Sequence, residues 1–187
     1  MKKPLAILTS IIITTAMLLI SGCSIRNLDA AWAKDNKIIS NKLGVRYYKL
    51  PKDKAMSAMA VAFQRLDLIV ENMDFKTGFL LATANAPKPL SDEEMQAVID
   101  VEDSRARSHV LFFTWNFRDF KSKFNVTFLE TDEGVQISLR GNLEFVGNRN
   151  QFIPVTEFPP KAVEIANIKI WDEFEKIAFI QGETLKQ

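Results

Sequence analysis

The chain has 187 residues, 24 Lys and Arg against 23 Asp and Glu, one His and one Cys. A balance so near neutral, without a strongly basic stretch dominating it, excludes the electrostatic footprint of a nucleic-acid binder, and a single cysteine excludes an intramolecular disulfide framework. Fourteen Phe and three Trp are enough to build a core without covalent staples.

Residues 1–22 read as a targeting segment rather than as part of the fold. Lys2 and Lys3 supply a positive start, and Leu5 to Ile20 is an apolar run without charge, short for a permanent span of about 20 apolar residues. The run ends in Ile20-Ser21-Gly22-Cys23. This tetrapeptide resembles the lipobox of bacterial lipoproteins: a branched apolar residue, two small residues that let a peptidase approach the backbone, then a thiol that serves as nucleophile. The resemblance implies cleavage between Gly22 and Cys23, a diacylglycerol thioether on Cys23 and an acylated amino group (palmitate or a similar chain). With two or three chains attached, each buried methylene contributing about 0.8 kcal/mol, anchoring would be effectively permanent. Ser24 stands where enterobacterial lipoproteins kept at the inner membrane carry aspartate, so the expected location is the outer membrane, periplasmic face. Cleavage takes 22 residues and two of the 24 basic side chains, leaving 165 residues with a net charge of −1. One domain is the natural expectation at that length.

Residues 23–44 mix Asn and Lys with scattered apolar side chains and read as a lipidated tether with a reach of up to about 70 Å. Seven basic residues between Lys34 and Lys54 face only Asp35 and Asp53, a pattern of solvated surface or of attraction to anionic head groups or a partner. The folded domain is expected over residues 45–187. Val45 to Leu50 reads as a strand; after Pro51, Met56, Met59, Ala60, Phe63 and Leu66 keep helical spacing, with Asp53 a candidate cap. Leu68 to Met73 and Phe79 to Ala84 read as a hairpin whose turn uses Gly78 at positive φ. A helical insertion follows near 86–118, opened by Ser91-Asp92-Glu93-Glu94, a capping box. From Leu111 to Phe124 the rings alternate like a strand and also recur at helical spacing; helix running into strand is the reading adopted. Phe124 to Phe128 and Val135 to Leu139, joined by Thr131-Asp132-Glu133-Gly134, alternate apolar and polar as a hairpin with one covered face. Leu143 to Val146 reads as a further strand. Pro159-Pro160 opens a helix with Val163, Ala166, Ile170, Phe174, Ile177 and Ala178 on one side. The expected fold class is α+β, an antiparallel sheet with one face covered by helices, including a long C-terminal one.

Nothing in the spacing assembles a catalytic constellation. The only histidine, His109, has no thiol to activate, because Cys23 is committed to lipid, and no phosphate loop or paired-His metal motif is present. The remaining enzymatic reading is a carboxylate hydrolase of envelope glycan using acids such as Glu71, Asp74 and Glu144. The element order, with Phe63-Gln64-Arg65-Leu66 before Asp74-Phe75-Lys76-Thr77-Gly78-Phe79 and a final helix bearing Trp171 and Phe174, resembles the helix-grip domains of BamC-like envelope lipoproteins. That resemblance implies a noncatalytic accessory or assembly subunit and carries no binding residue over. Candidate interface residues are Phe112 and Trp115 in the aromatic stretch, Asp92 and Glu93 in the acidic one, and the sheet edge. No cofactor, metal or nucleic acid is expected; the partners are the membrane and an envelope protein. The alternative is a periplasmic carrier gripping lipid or another apolar ligand between the sheet and the last helix.

Overall fold

The computed structural model describes residues 28–107, 120–146 and 157–184. Helix α1 covers 28–43. Then come β1 (Val45–Tyr48), α2 (Lys52–Arg65), β2 (Ile69–Asp74), β3 (Phe79–Asn85), α3 (Asp92–Arg107), β4 (Phe120–Thr131), β5 (Gly134–Phe145) and α4 (Pro160–Thr184). The five strands form one antiparallel sheet in the order β1-β5-β4-β3-β2. The fold is α+β with a C-terminal helix packed on the sheet, as the hydrophobic pattern predicts. None of the described helices is long and apolar enough to cross a membrane.

Strand periodicity decides which side is covered. Leu80 and Ala82 of β3, Phe124, Val126 and Phe128 of β4, and Val135, Ile137 and Leu139 of β5 are buried, while their neighbours in sequence point the other way. Onto this face α2 packs Met56, Met59 and Phe63, each fully buried, and α4 packs Val163, Ala166, Ile170, Phe174 and Ile177. Burial of each such large side chain contributes about 1.5 to 3 kcal/mol. The rings of Phe63 and Phe124 lie 6.1 Å apart, joining helix to sheet at its centre. The opposite face is mixed, with Lys121, Lys123, Arg140 and Glu144 among Thr, Asn and Ser.

Several local expectations hold. Gly78 adopts φ of 69° in the β2–β3 turn, where a Cβ would lie 2.3 Å from the Phe128 carbonyl oxygen. Ser91 and Glu94 form the reciprocal capping box: the Glu94 amide donates to Ser91 Oγ at 3.2 Å and the Ser91 amide to Glu94 Oε2 at 2.7 Å. The last helix begins at Pro160, whose missing N–H costs nothing at the first position.

Three expectations are corrected. Residues 28–43 are helical, with Leu28 and Trp32 buried, so the tether assigned to 23–44 does not extend through them. The helix is tied to the domain by specific bonds: Asn36 Nδ2 donates to the Phe158 carbonyl and to Glu157 Oε2, both at 2.9 Å, and Asp29 accepts the Glu157 amide at 3.0 Å. At its end Gly44 lets the chain press against β5, where the Leu139 amide donates to the Gly44 carbonyl at 2.7 Å. Asp53 is not the cap of α2; the cap position is Pro51, without a side-chain bond, and Asp53 sits in the first turn, where the helix dipole favours it. Leu143 and its neighbours continue β5 without a break and are not a separate strand.

Edge strand β1 is clamped to α4. Arg46 Nη1 and Tyr48 Oη both donate to Glu175 Oε1, the latter at 2.7 Å. The Arg46 guanidinium lies 5.0 Å from the centre of the Trp171 ring, and Tyr48 meets Phe174 edge to face at 4.9 Å. Burial, reinforced by the bond to Glu175, pushes the Tyr48 hydroxyl well above its ordinary pKa, so it remains a donor throughout the physiological range. The buried Trp171 Nε1 donates to the Leu43 carbonyl at 2.7 Å, linking α4 to the end of α1.

Candidate functional site

The interface candidates fall into two groups. Phe112 and Trp115, with the rest of 108–119, lie outside the described residues, as do His109, Gly22, Cys23 and the segment 1–22. Asp92 and Glu93 are exposed in the first turn of α3, where hydrogen bonding from Ser91 holds Glu93 below the usual carboxylate range. Gln96 and Asp100 continue that exposed side and bond each other at 2.9 Å. The inward side carries buried Met95 and Val98. Three acids in the first turn are what the helix macrodipole stabilises. Among the described residues, no group of three or more His, Cys, Asp or Glu side chains is placed to hold a metal ion.

Glu94 points back toward the domain. Its Oε2 accepts Lys169 Nζ of α4 at 2.6 Å, and this bond, together with the Ser91 amide, keeps Glu94 below its ordinary pKa. A carboxyl depressed in the folded state contributes stability above its unfolded pKa and loses it as pH falls through the folded value. Docking of α3 on α4 is therefore expected to weaken as pH drops below about 4. Hydrogen exchange of the α3 amides should accelerate there relative to those of β4, and Glu94→Gln should abolish that extra acid sensitivity. An α3 that exchanges in step with β4 at all pH values contradicts the coupling.

Of the carboxylates named for hydrolysis, Glu71 and Asp74 share β2 while Glu144 lies on β5. Glu71 accepts Thr83 Oγ1 at 2.6 Å. Asp74 serves its own turn, accepting the amides of Lys76 and Thr77 and the Thr77 hydroxyl, which holds it below its usual pKa. Glu144 pairs with Lys123 at 3.7 Å. Strands β2 and β5 are three spacings apart in the sheet, roughly 14 Å, whereas a glycosidase pair needs about 5 to 9.5 Å.

Both sheet edges are blunted against strand addition. β1 is four residues long, and β2 has an irregular register between Val70 and Asn72 with the charged Glu71 inside it. Between the sheet and the first half of α4 lies a void of about 10 Å³ lined by Phe124, Gly141, Phe158, Ala162, Val163 and Ala166 together with the Pro87–Leu90 loop and Asn167. It has room for about one water and none for an acyl chain. A larger depression of about 400 Å³ lies on the surface between Lys49–Lys52 and the β4–β5 turn, bordered by Glu130, Glu133 and Lys52. It is open to solvent and mixes Leu50 and Pro51 with charged side chains, so it does not enclose an apolar ligand.

Periodicity also held a signal that the sequence reading passed over: Leu28, Trp32, Ile39 and Leu43 keep helical spacing, with Asn36 in the one polar gap. Compared with known proteins, the chain matches no family model, and neither a curated protein nor a solved structure is similar enough to count as a relative.

Proposed function

We propose that this chain is a noncatalytic envelope lipoprotein, held by lipid on Cys23 at the periplasmic face of the outer membrane, whose folded domain binds another envelope protein. The observation that carries this reading is Ile20-Ser21-Gly22-Cys23 at the end of an uncharged apolar run, followed by a folded helix from residue 28. Lipidation supplies the motive, since confining a domain to a membrane raises its effective concentration near membrane partners without any added contact. Support for binding rather than transport comes from the interior, where the void beside α4 is too small for an apolar ligand.

Mass spectrometry of the amino-terminal peptide from membranes tests the anchor: a peptide beginning at Cys23 with diacylglycerol and an acyl chain is expected, and Cys23→Ala should abolish processing. A free thiol at Cys23, or cleavage elsewhere, contradicts it. Crosslinking in intact cells followed by affinity purification, repeated with Trp115→Ala, tests the partner. A reproducible protein lost in the variant is expected; a copurifying lipid without any protein would favour the carrier.

A further inference from the structure

Helix α1 has two faces of opposite character. Leu28, Trp32 and Asn36 are buried against the domain, while Lys34, Lys37, Ile38, Asn41 and Lys42 are exposed on the other side, Ile38 to 59%. The acids of the same helix, Asp29 and Asp35, are half-buried, and Asp29 is engaged by the Glu157 amide. Lys34, Lys37 and Lys42 make no ion pair among the described residues. The outward face therefore presents three cations, unpaired among the described residues, around an exposed isoleucine. A cationic helix face with an apolar side chain at its centre has the composition that attaches to anionic lipid.

Chain length places that face near a membrane. Leu28 is five residues beyond Cys23, so even a fully extended connection lets α1 start no more than about 18 Å from a lipid on Cys23. We propose that the Lys34, Lys37, Ile38 and Lys42 face of α1 rests on an anionic bilayer surface, with the lysines among phosphate head groups and Ile38 at the acyl boundary, so that the domain is held on the membrane in one orientation. This rests on the lipid-anchor reading, because the short connection brings the helix to the bilayer only if Cys23 carries lipid. The sheet and α4 are then positioned by the rigid attachment of α1 through Asn36, Asp29 and Gly44.

The test uses the full chain purified from membranes with Ile38→Cys, labelled with a thiol-reactive environment-sensitive fluorophore. Label stoichiometry reads the anchor separately: one per chain means that Cys23 is blocked by lipid, two overturn the anchor reading. The emission of the probe at position 38 reads docking. In vesicles of phosphatidylethanolamine with about a third phosphatidylglycerol, a blue shift is expected that is absent in pure phosphatidylcholine and reversed by high salt. Combining Lys34→Gln, Lys37→Gln and Lys42→Gln should lower the ratio of docked to undocked chains on anionic vesicles about a hundredfold. All three are exposed, and an unchanged circular dichroism spectrum will show that the variant is folded. A probe that keeps its solution emission on anionic vesicles overturns the proposal, even where one label per chain upholds lipid on Cys23. A shift that needs an added envelope protein and ignores phosphatidylglycerol assigns the face to a protein and overturns it equally.

Discussion

Trp171→Ala is expected to lose about 4 kcal/mol of unfolding free energy, a large part of what a domain of this size has. The indole is completely buried, its Nε1 donates to the Leu43 carbonyl at 2.7 Å, and its ring meets Phe174 edge to face at 5.9 Å beneath the Arg46 guanidinium. Truncation opens a cavity and also leaves a carbonyl at the end of α1 without its donor, adding about 1 to 3 kcal/mol where that carbonyl stays dry. Trp171→Phe separates the two effects. It retains most of the ring packing while removing the donor, so a loss of about 1 to 2 kcal/mol, smaller than that of Trp171→Ala, is expected. Urea unfolding of both variants checks this, with a midpoint for Trp171→Phe equal to that of the parent sinking the idea that α4 holds α1 through this bond.

Gly134→Ala is expected to cost about 3 kcal/mol. At φ of 146° the residue occupies backbone space that side chains rarely enter, and an added Cβ would stand 2.1 Å from the Tyr48 carbonyl oxygen and 2.9 Å from Lys49 Cα. Backbone strain of this kind costs on the order of 1 to 3 kcal/mol, and the only relief is to push the end of β1 away from the hairpin. Since β1 pairs with β5 over just four residues, Val45 to Tyr48 opposite Ser138 to Val135, the damage should localise there. Exchange of the β1 amides should therefore accelerate more than that of β3, while exposed Glu133→Ala in the same turn leaves both unchanged. An unaltered melting temperature for Gly134→Ala contradicts the close approach.

Much of the architecture was legible because it rests on local pattern. The alternation at Phe124 to Phe128 and Val135 to Leu139 placed the central hairpin and its covered face. Helical spacing at Met56, Met59 and Phe63 and at Val163 to Phe174 named the residues that α2 and α4 bury. Ser91 with Glu94 marked a helix start through a bond spanning three residues. Each of these signals is complete within a few residues, and burial follows from it directly.

What only the tertiary structure decided depends on distant partners. Residues 28–43 intersperse their apolar stripe with Asn and Lys and read as a tether until Asn36 finds Phe158 and Glu157, more than 120 residues away. Glu94 reads as one more exposed acid until Lys169 is placed beside it, and Arg46 and Tyr48 read as an ordinary strand edge until α4 presents Trp171 and Glu175. Glu144 could be imagined beside Glu71 and Asp74 until the strand order set three sheet spacings between β5 and β2. The proposed lipid anchor rests on the sequence alone, on Ile20-Ser21-Gly22-Cys23, because a processing enzyme would read those residues in order. Helical spacing announces α1, but its docking, and with it the cationic face turned away from the domain, exists only once the chain has folded, because the partners of Asn36 and Asp29 lie more than 120 residues away.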